Sequence, residues 1–147
     1  MKTSPRLPSQ FDRKGRLSLP AIGVWLLLLA IPSYALSQLA SRIDWRILLG
    51  APLLASIITL LAYRSDKRRA EAGEWRIPES TLHLAELLGG WPGAFLAQRK
   101  FRHKISKTSY QIIFWGIVAL HEAVALDSLA GWRFTQSAVQ FIRSLAA

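Results

Sequence analysis

Residues 17–41 read LSLPAIGVWLLLLAIPSYALSQLAS and contain no charged side chain. Wound as a helix rising 1.5 Å per residue, such a stretch matches the roughly 30 Å hydrocarbon core of a bilayer. Two further charge-free runs follow, at residues 47–63 and 108–120. A soluble core interrupts its apolar residues with polar ones every few positions. Here the apolar residues come in blocks and the charges gather between them. That segregation predicts an all-α, multi-pass transmembrane protein with spans at about 19–39, 47–63 and 109–126. Pro32 falls inside the first span, where a kink is tolerated if neighbours satisfy the freed carbonyl. Pro52 falls near the first turn of the second, where proline is least costly.

The 147 residues form one domain by length, and the formal net charge of +10 is concentrated outside the spans. Residues 1–18 hold Lys2, Arg6, Arg13, Lys14 and Arg16 with Pro5, Pro8 and Gly15, which predicts a basic disordered tail ahead of a membrane domain at 19–147. A cleaved signal peptide ending near Ser33-Tyr34-Ala35 is the other reading of this start. The apolar run is long for such a signal, so a retained anchor is the simpler expectation. The chain has no cysteine, which excludes disulfides, thiolate metal sites and cysteine catalysis.

Between the second and third spans lies the segment that tests the topology. Residues 64–79 alternate bases with Asp66, Glu71, Glu74 and Glu79, and Gly73 suits the end of a helix continuing from the second span. Pro78 and Glu79 suit the start of another. The apolar stretch 81–98 carries Gly89-Gly90-Trp91-Pro92-Gly93 at its centre, a cluster that breaks a helix. Basic groups flank it on both sides, with Arg64, Lys67, Arg68, Arg69 and Arg76 before and Arg99, Lys100, Arg102, Lys104 and Lys107 after. The positive-inside rule favours both clusters on the cytoplasmic face. Residues 78–104 are therefore expected as a Gly/Pro-broken helical hairpin that enters the membrane surface and returns; a single crossing is the alternative. Gly89, Gly90, Pro92 and Gly93 are its backbone hairpin, with close approach of the loop to another helix.

Residues 128–147 place Arg133, Gln136, Ser137, Gln140, Arg143 and Ser144 on one side of a helix and Trp132, Phe134, Val139, Phe141, Ile142 and Leu145 on the other. This is an amphipathic helix suited to the interface plane or to packing on the protein's own helices. The six tryptophans mostly fall near span ends or the hairpin tip, as interface anchors do.

Several short motifs in the middle of the chain occur in a fixed order. They are Asp66-Lys67-Arg68-Arg69-Ala70, Trp75-Arg76-Ile77-Pro78-Glu79 with Leu82, Gly89-Gly90-Trp91-Pro92-Gly93-Ala94, and Phe101-Arg102-His103-Lys104. In this order the chain resembles, over about residues 47–115, the family called domain of unknown function 1294. The resemblance implies a small multi-pass bacterial inner-membrane protein with no established activity. Some family members resemble fusions to an N-terminal cold-shock domain. The tail here is too short for one and lacks interleaved aromatic residues, so no nucleic-acid partner is expected beyond weak attraction of polyanions to its charge.

Asp66, Lys67, Arg76, Glu79, His103 and Lys104 converge if the hairpin folds back. They read either as an anion or lipid-headgroup site, with the bases donating, or as a structural salt-bridge network in which Asp66 and Glu79 pair with Arg76 and Lys104. Glu79, His83 and Glu86 share a helix face, the spacing of a carboxylate–imidazole metal site or of an acid–base pair. One helix supplies too few ligands, so the expectation is no metal, no cofactor and no catalytic residue. His121 and Glu122 lie within the third span, where an ionisable side chain marks a functional position by default, but toward its outer end, where snorkelling to the interface is cheap and is the favoured reading. The sequence thus predicts a non-enzymatic accessory or lipid-interacting protein of the inner membrane, N-terminus cytoplasmic, with anionic headgroups and a membrane-protein partner as candidate ligands. The alternatives are a membrane-embedded enzyme or transporter-like protein using Glu79, His83, His103 or His121, and a nucleic-acid-associated membrane protein.

Overall fold

The computed structural model describes residues 17–146, and the basic tail falls outside them apart from its last two residues. The fold is all-helical. Helix α1 spans Leu19–Leu39 and α2 spans Trp45–Ala72. The hairpin follows as α3 (Glu79–Ala85), a π-helical turn (Glu86–Gly90) and α4 (Trp91–Phe101). Helix α5 spans Thr108–Leu129 and α6 spans Arg133–Ala146. Three of these, α1, α2 and α5, are long and apolar enough to cross a membrane. Their outward faces are apolar and exposed, as at Leu27, Leu53 and Ile112. In water that surface would be a large aggregation liability; lipid covers it at no such cost.

Local signals set the ends. Ser18 caps α1 by accepting from the Ala21 amide, and Pro20 occupies its first turn. Asp44 caps α2 in the same way through the Arg46 amide. Helix α2 runs well past the apolar run that predicts it and stops at Gly73, whose left-handed backbone (φ 72°) lets its amide bond back to Arg69. Pro78 is the residue just before α3.

The hairpin packs against α2 along its length. Its entry and exit both meet Asp66: the Ile77 amide donates to Oδ1 at 2.8 Å, and His103 Nε2 lies 2.7 Å from Oδ2. Its tip meets α2 further along, at Ser56 and Thr59. Asp66 to Ser56 is roughly 15 Å of helix, about half of a bilayer's hydrocarbon core. The two arms therefore start and end at one end of the bundle, and the tip stops midway.

Glycine makes this packing possible. A Cβ on Gly93 would sit 2.0 Å from the Ser56 carbonyl oxygen, and one on Gly90 would sit 1.9 Å from Thr59 Oγ1 and 2.6 Å from the Ala85 carbonyl oxygen. At Gly89 the chain breaks out of the helix with φ 97°. The core beneath is Tyr63, Leu82, Trp91, Phe95, Tyr110 and Phe114, with smaller residues between them.

Two expectations need correction. The C-terminal amphipathic helix begins at Arg133, not 128, because Ser128 and Leu129 complete α5 and Gly131 and Trp132 form a left-handed corner (φ 73° and 62°). Trp25 and Trp91 are not interface anchors. Trp91 is buried in the core, and the Trp25 indole donates to the Pro92 carbonyl at 3.1 Å, tying α1 to the hairpin tip.

Candidate functional site

The polar residues of the hairpin form two layers along α2. Thr59, Tyr63 and Asp66 are buried on one face of α2 at spacings of four and three, so an otherwise apolar span turns a polar stripe inward.

The outer layer surrounds Asp66, which is fully buried. Besides Ile77 and His103, its carboxylate faces Lys104 Nζ at 3.6 Å. Lys104 donates to Glu79 Oε1 at 2.8 Å, and Lys107 donates to Glu79 Oε2 at 2.7 Å. These two lysines hold the Glu79 carboxyl down to about 2, Lys104 contributing most. Lys67 donates to the Phe101 carbonyl at 2.8 Å, at the C-terminal end of α4, where a cation complements the helix dipole. It also lies 3.6 Å from Glu71. Of the residues read together from the sequence, Asp66, Glu79, His103 and Lys104 come together and Lys67 clamps alongside. Arg76 does not join them. It is exposed and has no hydrogen bond or ion pair among the described residues. Lys107 takes the place beside Glu79 that Arg76 was expected to hold.

The inner layer centres on Glu86, also fully buried. Its Oε1 accepts from the Tyr63 hydroxyl and, at 2.9 Å, from the Tyr110 hydroxyl. Its Oε2 lies 2.7 Å from His83 Nδ1. Gln98 donates to the Tyr63 oxygen at 3.0 Å, and the two tyrosine oxygens are 2.6 Å apart. Tyr63 has a single proton, which it donates to Glu86, and its oxygen accepts from Gln98. The Tyr110 proton is then shared between Glu86 and Tyr63. Gln111 completes the shell by donating to Gln98 Oε1 and to the Lys104 carbonyl. Five elements contribute, and a buried network in which every polar atom but one is partnered fixes one arrangement of the helices.

The His83 ring lies against Tyr110, with centroids 4.1 Å apart, while Lys104 Nζ sits 5.0 Å from the Tyr110 ring. His83 Nε2 is buried and has no hydrogen-bond partner. Glu79, His83 and Glu86 do not act as one triad: the lysines draw Glu79 outward, and His83 pairs with Glu86. Among the described residues no group of three His, Cys, Asp or Glu side chains comes together to hold a metal. His121 and Glu122 lie apart from both layers. His121 Nδ1 is 2.8 Å from the Ile117 carbonyl oxygen, and Glu122 has one buried, unpartnered carboxylate oxygen.

Tyr63, Gln98, Tyr110 and Gln111 were not singled out from sequence. Their signal is present: each is a polar side chain in an apolar helix, in register with another polar residue three or four positions away or across the hairpin.

Residues 56–110 match the family model described as "Protein of unknown function (DUF1294)". The chain is similar to that family over this region. The region begins at the serine that receives Gly93 and ends at the tyrosine that donates to Glu86, so it contains the hairpin and the α2 face beneath it. Over 46 residues the chain is 39% identical to the "Uncharacterized protein YsdA" of Bacillus subtilis (strain 168), a match covering 31% of this chain and 52% of that protein. The chain thus matches about half the length of this curated relative. No solved structure matches.

Proposed function

We propose that this protein is a non-enzymatic, lipid-interacting or accessory component of the inner membrane, seated with its hairpin base on the anionic cytoplasmic leaflet and its N-terminus on that side. The observation that carries this reading is how the cations divide. Lys104 and Lys107 are neutralised by Asp66 and Glu79, and His103 is held by Asp66. Arg64, Arg68, Arg69, Arg76, Lys100 and Arg102 are exposed around the same end and enter no ion pair among the described residues. The converging cluster is thus a clamp that holds the hairpin, and the headgroup-binding surface is the collar outside it. At about 1 kcal/mol per basic residue near an anionic leaflet, such a collar contributes several kcal/mol of attraction. The test is thermal stability of the purified protein with added phosphatidylglycerol against phosphatidylcholine. Selective stabilisation by phosphatidylglycerol, reduced when Arg68, Arg69 and Arg76 are changed to Gln, supports the reading. Equal response to both lipids refutes it.

A second reading rests on His83. An imidazole oriented by a buried carboxylate, with its other nitrogen unpartnered, is the arrangement of a general base or proton carrier. It would make the protein a membrane-embedded enzyme or transporter-like protein acting through His83 and Glu86. Reconstituted vesicles containing a pH-sensitive dye separate the two readings. Proton flux lost on His83→Gln favours the second; the same leak in both proteins removes it.

A further inference from the structure

Helix α6 stands apart from the hairpin. It contacts α5 and leaves its apolar face uncovered: Phe134 is 74% exposed, Phe141 64% and Leu145 71%. Packing of this face on the protein's own helices, one of the two sequence readings, does not occur. Helix α5 begins beside the hairpin base, where Tyr110 reaches Glu86, and its 22 residues rise roughly 33 Å. Its far end, and α6 with it, therefore lie at the opposite end of the bundle.

We infer that α6 lies flat in the lipid–water interface of the leaflet opposite the hairpin base, held at fixed depth by Asp127. This rests on the membrane reading and concerns a surface that the headgroup collar does not include.

Three observations favour lipid over a protein partner. First, the apolar arc from Phe141 round through Leu145, Ala138 and Ile142 to Val139 covers roughly 160° at 100° per residue, wider than the narrow seam that one partner helix covers. Second, the opposite face is weakly charged. It carries Arg133 and Arg143 among Gln136, Ser137, Gln140 and Ser144 and has no acid. That suits the headgroup region, whereas a paired helix uses flanking charges of both signs. Third, the apolar face continues that of α5. Leu126 and Leu129 are exposed beside it, and the cleft between the helices, about 380 Å³, is lined by Val124, Leu126, Trp132 and Phe134 together with Asp127 and Thr135. A lipid acyl chain fills such a cleft without an additional partner.

The corner is built rather than loose. Asp127 accepts from the Phe134 amide at 2.9 Å, the Thr135 amide at 3.1 Å and the Thr135 hydroxyl at 2.5 Å, while the Trp132 amide donates back to the Asp127 carbonyl at 2.7 Å. One carboxylate at the end of α5 therefore caps the start of α6, where free amides and the helix dipole both favour negative charge. The cap fixes where α6 leaves the span and which face it turns downward. The hairpin adds helical bulk to one leaflet only, and α6 adds it to the other.

The chain lacks cysteine, so single-cysteine spin labels report one position each. Leu27→Cys, Phe141→Cys and Gln140→Cys are compared in phosphatidylcholine–phosphatidylglycerol vesicles by accessibility to oxygen, which concentrates in lipid, and to a nickel chelate, which stays in water. The expected result is a several-fold higher oxygen-to-chelate ratio at 141 than at 140, with position 27 also in lipid. Water exposure at both 140 and 141, with position 27 in lipid, overturns this inference alone. Protection of 141 from both reagents, with dipolar coupling between copies, overturns it in favour of a second copy of the chain. Water exposure at position 27 overturns the membrane reading itself. Asp127→Asn, which preserves the shape of the side chain but weakens the cap, is expected to mobilise the label at 141; an unchanged spectrum contradicts the fixed corner.

Discussion

The two ends of this molecule are held by different means. At the hairpin end, five helical elements meet around two buried carboxylates, Asp66 and Glu86, and nearly every polar atom there has a partner. At the far end, α1, α2, α5 and α6 bury few side chains, among them Ala35, Leu48 and Ala125, and turn exposed leucines, isoleucines and phenylalanines outward. The first end is specified by contacts within the chain that depend on the shape and charge of particular side chains. The second is specified by length and apolarity, which many sequences satisfy, and on the proposed reading lipid covers it. The matched family region, residues 56–110, covers the first end and leaves out α1, α6 and most of α5.

Substitutions measure how sharp that division is, with stability followed by denaturation in mixed micelles. The largest effect belongs to Gly93→Val. Its side chain would occupy the space of the Ser56 backbone, which cannot give way, so α4 must leave α2 at a loss of about 3 kcal/mol or more. Glu86→Ala comes next. It strands the hydroxyls of Tyr63 and Tyr110 and the His83 imidazole in the interior, at about 1–3 kcal/mol per stranded group, and Tyr63→Phe loses a smaller part of the same network. Glu79→Gln is smaller again, within about 1 kcal/mol, because the Lys104 and Lys107 pairs lie at a partly exposed rim. It also carries a pH signature. The Glu79 carboxyl is depressed from 4.5 to about 2, so its contribution is fully present above pH 4.5 and is lost as pH falls toward 2. The stability profile of Glu79→Gln should be flatter over that window than that of the parent. At the bottom lies Gly116→Ala in α5, where an added Cβ meets nothing within 4 Å. A small gain, about 0.5–1 kcal/mol, is expected there from helix propensity alone. A large loss at Gly116 or a small one at Gly93 would erase the distinction between the two ends.

How much was legible in the sequence follows the same division. The spans were legible because lipid imposes a simple rule, a long run without charge, and Leu19–Leu39 agrees with it residue for residue. The broken hairpin was legible because Gly89, Gly90 and Pro92 end a helix locally and the bases flank it on both sides. Partners across the fold were harder. Arg76 and Lys107 carry the same charge, but Arg76 is near Glu79 along the chain while Lys107 is 28 residues away, so proximity in sequence favours the wrong partner and only the path of the 102–107 turn decides that Lys107 reaches it. Glu86 and Tyr63 are separated by a helix end and a loop, so no local spacing links them. The inward polar stripe of Thr59, Tyr63 and Asp66 was readable as spacing, but its meaning needed the hairpin in place. The start of α6 was misplaced because Asp127, an acid expected to end a span, also caps the next helix across a left-handed corner.

The central claim is that the hairpin enters and leaves on one side of the membrane while the C-terminal helix lies on the other. Single cysteines at Arg76, Ile105 and Ser144, all exposed positions, test it with a membrane-impermeant maleimide applied to sealed vesicles of known orientation. The account predicts that 76 and 105 react from the same side and 144 from the opposite side. Reaction of 76 and 105 from opposite sides would make residues 81–98 a true crossing and would contradict it.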